Sequence, residues 1–176
     1  MAVAGADTFL NDTWKLYFHD PANDNWEFES YLSLATVSSV GDLVDLHRAL
    51  QPLWANGMFF LMRDHVLPIY EDAHNIRGGV LSFKANKADV PRYWFELAAR
   101  VLGESALRPG NADAWERVCG ISITPKRSFC ILRIWVADPD MQDAGLYEFS
   151  TPSYTQVMFR SFASEAAEAQ AQAAAA

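Results

Sequence analysis

The run 128–137, Ser-Phe-Cys-Ile-Leu-Arg-Ile-Trp-Val-Ala, constrains this chain more than any other segment. In extended backbone successive side chains point to opposite faces, so Cys130, Leu132, Ile134 and Val136 form one apolar face, and Phe129, Ile131, Arg133 and Trp135 form the other. The first face belongs to a core. The second sets a guanidinium beside an indole, and a helix laid over it would have to bury the charge. A second apolar run, 117–124, precedes it, and only Pro125-Lys126-Arg127 joins the two, the pattern of a hairpin. The chain therefore needs a sheet with one packed face and one face left for something else.

The remaining elements can be placed around that hairpin. Residues 13–19 alternate large apolar with more polar side chains, a turn-rich stretch 20–25 follows, and alternation resumes over 26–32, predicting two strands joined by a loop that ends at Trp26. Ser39 followed by Asp42 resembles a capping box, and Leu43, Leu46, His47 and Leu50 recur at helical spacing, predicting a helix of about three turns. Residues 58–62 predict a buried strand, and Arg77-Gly78-Gly79 leads into another over 80–84. A second helix takes Asp89 as its cap and Pro91 in its first turn. It has Trp94, Leu97, Ala98, Val101 and Leu102 as its apolar face and Gly103 as its stop. Short runs at 146–149 and 154–159 supply the last strands. These elements predict an α+β domain over 1–162, an antiparallel sheet with helices on one face, and an Ala-rich tail, 163–176, expected to be frayed or disordered.

Charge narrows the function. The formal net charge of −8 excludes a protein that grips long nucleic acid by its phosphates, which needs a net positive surface. The charge is uneven: residues 1–83 hold 4 basic and 11 acidic side chains, 84–133 hold 9 and 5, and 134–176 hold 1 and 6. An anion site is therefore expected within 84–133. Cys119 and Cys130 stand in apolar surroundings without a CxxC pair, as reduced thiols of a cytoplasmic or nuclear protein do. The start carries no signal-peptide pattern, and no apolar run reaches the ~18 residues of a membrane helix, so no membrane association is expected. His65, Glu71, Asp72 and His74 could be assembled into a metal site, but their spacing matches no ligand motif. With no nucleophile elbow or phosphate-binding glycine loop either, the expectation is a protein without catalysis, metal or cofactor.

Ordered landmarks over roughly 9–135 give the chain a family likeness. Pro68-Ile69-Tyr70-Glu71-Asp72 followed by Asn75-Ile76-Arg77-Gly78-Gly79 is the most specific. With it come Thr8-Phe9-Leu10, Trp14, Trp26 after a short loop, Ser39-Val40-Gly41-Asp42-Leu43-Val44, Arg92-Tyr93-Trp94, Leu102-Gly103-Glu104, Cys119-Gly120 and Trp135. In this order and spacing the chain resembles the eukaryotic translation initiation factor 4E family of mRNA cap-binding proteins. The resemblance implies a curved sheet with helices on its convex face and a cap slot on its concave face. It also implies stacking of 7-methylguanine between Trp26 and Tyr70, Glu71 reading the guanine edge, Trp135 against the N7 methyl group, and Lys126 at the triphosphate. Arg127 and Arg133 are candidate substitutes for basic residues that family members often carry where this chain has Val80 and Ile131.

On the helical side the resemblance implies a surface of Val40, Val44, Phe95 and Ala99 for a scaffold of the initiation factor 4G type or a 4E-binding protein. Val44 stands where the family has a Trp and Ala99 where it has a Leu. Tyr70 replaces a Trp, a smaller ring that implies looser cap binding. Such divergence is similar to the specialised paralogues of the family, including those of protozoa with unusually methylated caps. Beside translation initiation, two further readings remain open: a repressor that competes for caps, and a scaffold of the same fold with weak or lost cap binding.

Overall fold

The computed structural model describes residues 5, 7–164 and 167. Its strands are β1 (Phe9–His19), β2 (Leu32–Ser39), β3 (Met58–Arg63), β4 (Gly79–Asn86), β5 (Val118–Pro125), β6 (Phe129–Val136) and β7 (Met158–Ser161). Its helices are α1 (Val40–Leu50) and α2 (Val90–Leu102). The strands form one curved sheet in the order β2-β1-β3-β5-β6-β4-β7, with every neighbouring pair antiparallel.

Period-two alternation sorts the side chains onto two unequal faces. Leu16, Leu61, Leu81, Ile121, Ile123, Leu132 and Ile134 pack with Trp94, Leu97 and Val101 of α2 in the main core, which also takes in Trp14 and Trp115. On the other face Tyr17, Phe60, Met62, Val80 and Trp135 form a smaller cluster with Cys119 and Phe162. Both cysteines are free and buried. Gly120 lets β3 and β5 approach: a Cβ there would press on Met62 Sδ and on the Leu61 carbonyl.

The helix ends follow local chemistry. Ser39 Oγ accepts from Asp42 N at 3.1 Å, and Asp42 Oδ2 accepts from Ser39 N at 2.9 Å, the reciprocal capping box. Pro91 lies in the first turn of α2, and Gly103 N donates to Ala99 O at 2.9 Å at its end. Asp89 differs from expectation. Its side chain makes no capping bond, because its backbone is already helical (φ −93°, ψ −12°) whereas a capping side chain is aimed by extended backbone.

Three strand expectations are corrected. Residues 26–32 contain a short 3-10 turn, Phe28–Ser30, and β2 begins only at Leu32. The alternation there places Phe28 and Tyr31 against the smaller cluster rather than in a ladder. Residues 146–149 are not a strand: Asp143 holds a 3-10 turn by accepting from Gly145 N, Tyr147 Oη donates to Met141 O, and the stretch makes one bridge, Leu107 to Tyr147. The final strand lies at Met158–Ser161, later than 154–159. In the tail, Ala163, Ser164 and Ala167 are helical, and the expectation for 165–166 and 168–176 lies outside the described residues.

Candidate functional site

A cavity of about 300 Å³ opens on the sheet face opposite the helices. Trp26, Tyr70, Glu71, Lys126, Arg133 and Trp135 all line it, whereas Arg127, exposed in the β5–β6 turn, does not. Trp135 forms the floor: its Nε1–H donates to buried Ser122 Oγ at 2.9 Å, which fixes the indole in its plane. Arg133, one step along the same face, donates from Nη1 to Thr124 Oγ1 at 2.7 Å. Lys126 sits where its backbone N–H closes the hairpin on Phe129 O at 2.8 Å.

Trp26 stands on a rigid plinth. Its indole stacks on His19 with centroids 4.3 Å apart and 4° between planes. His19 is fully buried, and its Nε2 lies 2.8 Å from Asn25 O, a contact that requires the proton on Nε2 because a carbonyl only accepts. The loop before Trp26 is tied by its own side chains, with Ala22 N donating to Asp20 Oδ1, Asn25 N to Asn23 Oδ1, and Glu27 N to Asn25 Oδ1 at 2.9–3.0 Å. One face of the ring is thus taken, and its 51% exposure belongs to the other face and edge.

Tyr70 and Glu71 ride on a loop pinned from beneath. Buried Asn75 donates from Nδ2 to Leu67 O at 2.9 Å and Ile69 O at 2.7 Å, while Asp72 accepts from Leu67 N at 3.2 Å and His74 N at 2.8 Å. Burial pushes the Asp72 carboxyl up, but these donated bonds outweigh it and hold the group below its ordinary value of 3.8. Tyr31, also lining the cavity, is pushed up to about 12, first by burial and then by the negative charge of Glu71, so the phenol keeps its proton beside that carboxylate.

The sequence model of the family described as "Eukaryotic initiation factor 4E" matches residues 9–149. The chain belongs to the initiation factor 4E family. It is 28% identical over 144 residues to eukaryotic translation initiation factor 4E-1A of Danio rerio, covering 77% of this chain and 64% of the relative. It is 24% identical to 4E1 of Drosophila melanogaster, covering 78% of this chain and 53% of the relative. The chain thus spans between about half and two thirds of the length of these relatives. Among solved structures, Caenorhabditis elegans eIF4E-3 in complex with the 4E-binding protein Mextli and a cap analog superimposes with a TM-score of 0.75 at 17% identity, covering 90% of this chain and 95% of that one. Ascaris suum eIF4E-3 with an m7G cap gives 0.64 at 21% identity, covering 85% and 94%. At these identities the superpositions establish the initiation factor 4E fold.

Against the family pattern, several residues at the site escaped the sequence reading. Phe162, 4% exposed, enters the cavity from the end of β7, with its ring 4.9 Å from Trp135 and 6.3 Å from Tyr70. Its backbone N–H donates to Gly78 O at 3.1 Å. Nothing local signalled it, because it adjoins the Ala-rich tail. Arg160 pairs directly with Val80 across β7 and β4 but is not among the residues that line the cavity. His19 and Tyr31 were visible only as members of alternating runs.

On the helical face of this 4E-family fold, Val40 and Val44 of α1 and Phe95 of α2 are half-buried and Ala99 is exposed. The Phe95 ring lies 4.3 Å from His47, whose Nδ1 accepts from Trp54 Nε1–H at 3.2 Å and whose pKa burial lowers. The four residues considered as metal ligands separate: His65 touches His74 at 5.0 Å and His74 Nδ1 bonds Asp72 at 2.9 Å, but Glu71 lines the cavity. Among the described residues no three such side chains converge on a point that could hold an ion.

Proposed function

We propose that the cavity binds the 7-methylguanosine cap of mRNA and that the chain acts, without catalysis, in cytoplasmic translation initiation. One observation carries this reading: two exposed aromatic residues and an exposed carboxylate line a single cavity that two cations, Lys126 and Arg133, also line. Methylation at N7 spreads a positive charge over guanine, so an electron-rich ring on each side gains stacking and cation–π attraction, about 1–3 kcal/mol per ring. Trp26 and Tyr70 supply the rings. Glu71 accepts from the N1 and N2 donors of guanine, a pair adenine lacks, and the Tyr31 proton keeps that carboxylate from facing a second anion. Trp135 packs on the methyl group, and Lys126 and Arg133 take the phosphates, with Arg127 at the outer edge of the turn.

A solved relative from Ascaris suum carries an m7G cap, and one from Caenorhabditis elegans carries a 4E-binding protein, which supports both a cap and a protein partner here. The partner surface in this reading is Val40, Val44, Phe95 and Ala99, engaged by a 4G-type scaffold or a 4E-binding protein. Titrating Trp fluorescence with 7-methyl-GTP and with GTP tests the cap reading: strong quenching by the methylated nucleotide alone is expected, and equal or absent quenching overturns it. The small side chains at Val44 and Ala99 favour a second reading, a cap-bound repressor that recruits no scaffold. Adding the chain to a cap-dependent translation extract separates the two, since an initiation factor raises output and a competitor lowers it.

A further inference from the structure

Several local constraints hold Phe162 at the cavity. Register sets Val80 opposite Trp135 on one side and Arg160 on the other, and directly opposed residues of an antiparallel pair share a face. Phe162, two positions beyond Arg160, therefore leaves β7 on the Trp135 side of the sheet. Gly79 lets β7 come this close, because a Cβ there would press on the Arg160 carbonyl and on the Phe159 ring. The Phe162 N–H then donates to Gly78 O at 3.1 Å. Just beyond, Ser161 Oγ accepts from Ser164 N at 3.2 Å, and Ser164 Oγ donates to Ser161 O at 2.8 Å, which turns the chain away from the sheet. The ring itself points inward and joins Tyr17, Phe60, Val80 and Trp135 in the smaller cluster.

So held, the ring meets two walls of the cavity at once, Trp135 with 45° between planes and Tyr70 with 27°. We infer that Phe162 is a specificity-determining residue: by filling the corner between Tyr70 and Trp135 it limits the group carried on purine N7 to about the size of a methyl. The inference rests on the proposed reading, in which Tyr70 covers a face of the purine and Trp135 meets its N7 substituent, and it adds a gauge of that substituent's size. Its physical basis is close packing. A cavity of about 300 Å³ is at the small end of ligand pockets, and a filled apolar corner takes a larger group only by forcing side chains off their rotamers. Truncating an aromatic side chain reverses this, because the apolar hole it leaves can hold a ring supplied by a ligand.

Two ligands test this on the full chain, 7-methyl-GTP and 7-benzyl-GTP, each titrated by Trp fluorescence. The readout is the ratio of their affinities, which a purely structural role of Phe162 would leave unmoved. Phe162→Ala is expected to shift that ratio about 10-fold toward the benzyl ligand, the scale of one aromatic pair, as the ligand's ring enters the space of the missing one. Phe162→Leu, which keeps apolar bulk and guards against a misfolded alanine variant, is expected to shift it the same way by about 3-fold. A ratio unchanged in the folded variants overturns the gauge and leaves the cavity's reading standing. So does an equal loss of both ligands, which would make Phe162 a packing residue only. Failure of 7-methyl-GTP to bind the unmodified chain overturns the cavity's reading and the gauge with it.

Discussion

In the proposed reading Glu71 decides which purine the cavity accepts, because its two oxygens are acceptors only and guanine offers two donors on one edge. Glu71→Gln removes the charge and turns one acceptor into a donor that faces another donor. The expected result is a Kd for 7-methyl-GTP raised about 10-fold or more, read by fluorescence titration with the fold unchanged by circular dichroism. An unaltered Kd would take Glu71 out of the site. Tyr70 makes the opposite prediction. A Trp offers a larger π face, so Tyr70→Trp is expected to tighten 7-methyl-GTP several-fold, on the order of 1 kcal/mol, and to leave GTP weak. Phe162 tempers this, since its ring already stands 6.3 Å from Tyr70 and limits how far a wider side chain can swing.

At the scale of elements, the loop that carries Tyr70 and Glu71 depends on Asp72. The folded-state pKa of this carboxyl is depressed, so its contribution is present above the ordinary value of 3.8 and is lost as pH falls through the lower folded value. Acidification below about pH 4 is therefore expected to lower amide-exchange protection at Leu67 and His74, whose N–H groups bond this carboxylate, before the β3–β5 pair loosens. In Asp72→Ala both amides should already be unprotected at neutral pH, and persistent protection there would sink the account. Such local chemistry is also what made the elements legible in the sequence. The Ser39–Asp42 box, the Pro91-to-Gly103 helix and the β5–β6 hairpin are each specified by residues within a few positions of one another. The run 26–32 misled because its alternation follows packing of Phe28 and Tyr31 against the cavity cluster, and packing and pairing share a period of two. At the site, Trp26, Tyr70 and Glu71 were legible through their motif. Phe162 reaches it only because β7 returns to pair with β4, a contact between segments far apart in the chain that no local pattern encodes.

The molecule as a whole opposes nucleic acid whereas the proposed site admits a capped nucleotide, and that tension has a measurable form. A net charge of −8 repels a polyanion from most of the surface, so affinity has to come from the few cations at the cavity. Lys126 and Arg133 line the cavity, two phosphate contacts for 7-methyl-GTP in the proposed reading. With a slope of about −0.7 per phosphate contact, a plot of log K against log salt for that ligand is expected at about −1.4. Lys126→Ala should bring the slope closer to zero by about 0.7 while the cap-dependent part of the affinity persists, because stacking on Trp26 and Tyr70 exchanges no counterions. Uncapped RNA lacks the cationic purine and meets net repulsion outside the cavity, so no saturable binding is expected at physiological salt. If uncapped RNA instead bound with the same slope and comparable affinity, a broad basic surface would be carrying the interaction, and an aromatic slot selective for an alkylated purine would no longer be needed to explain it.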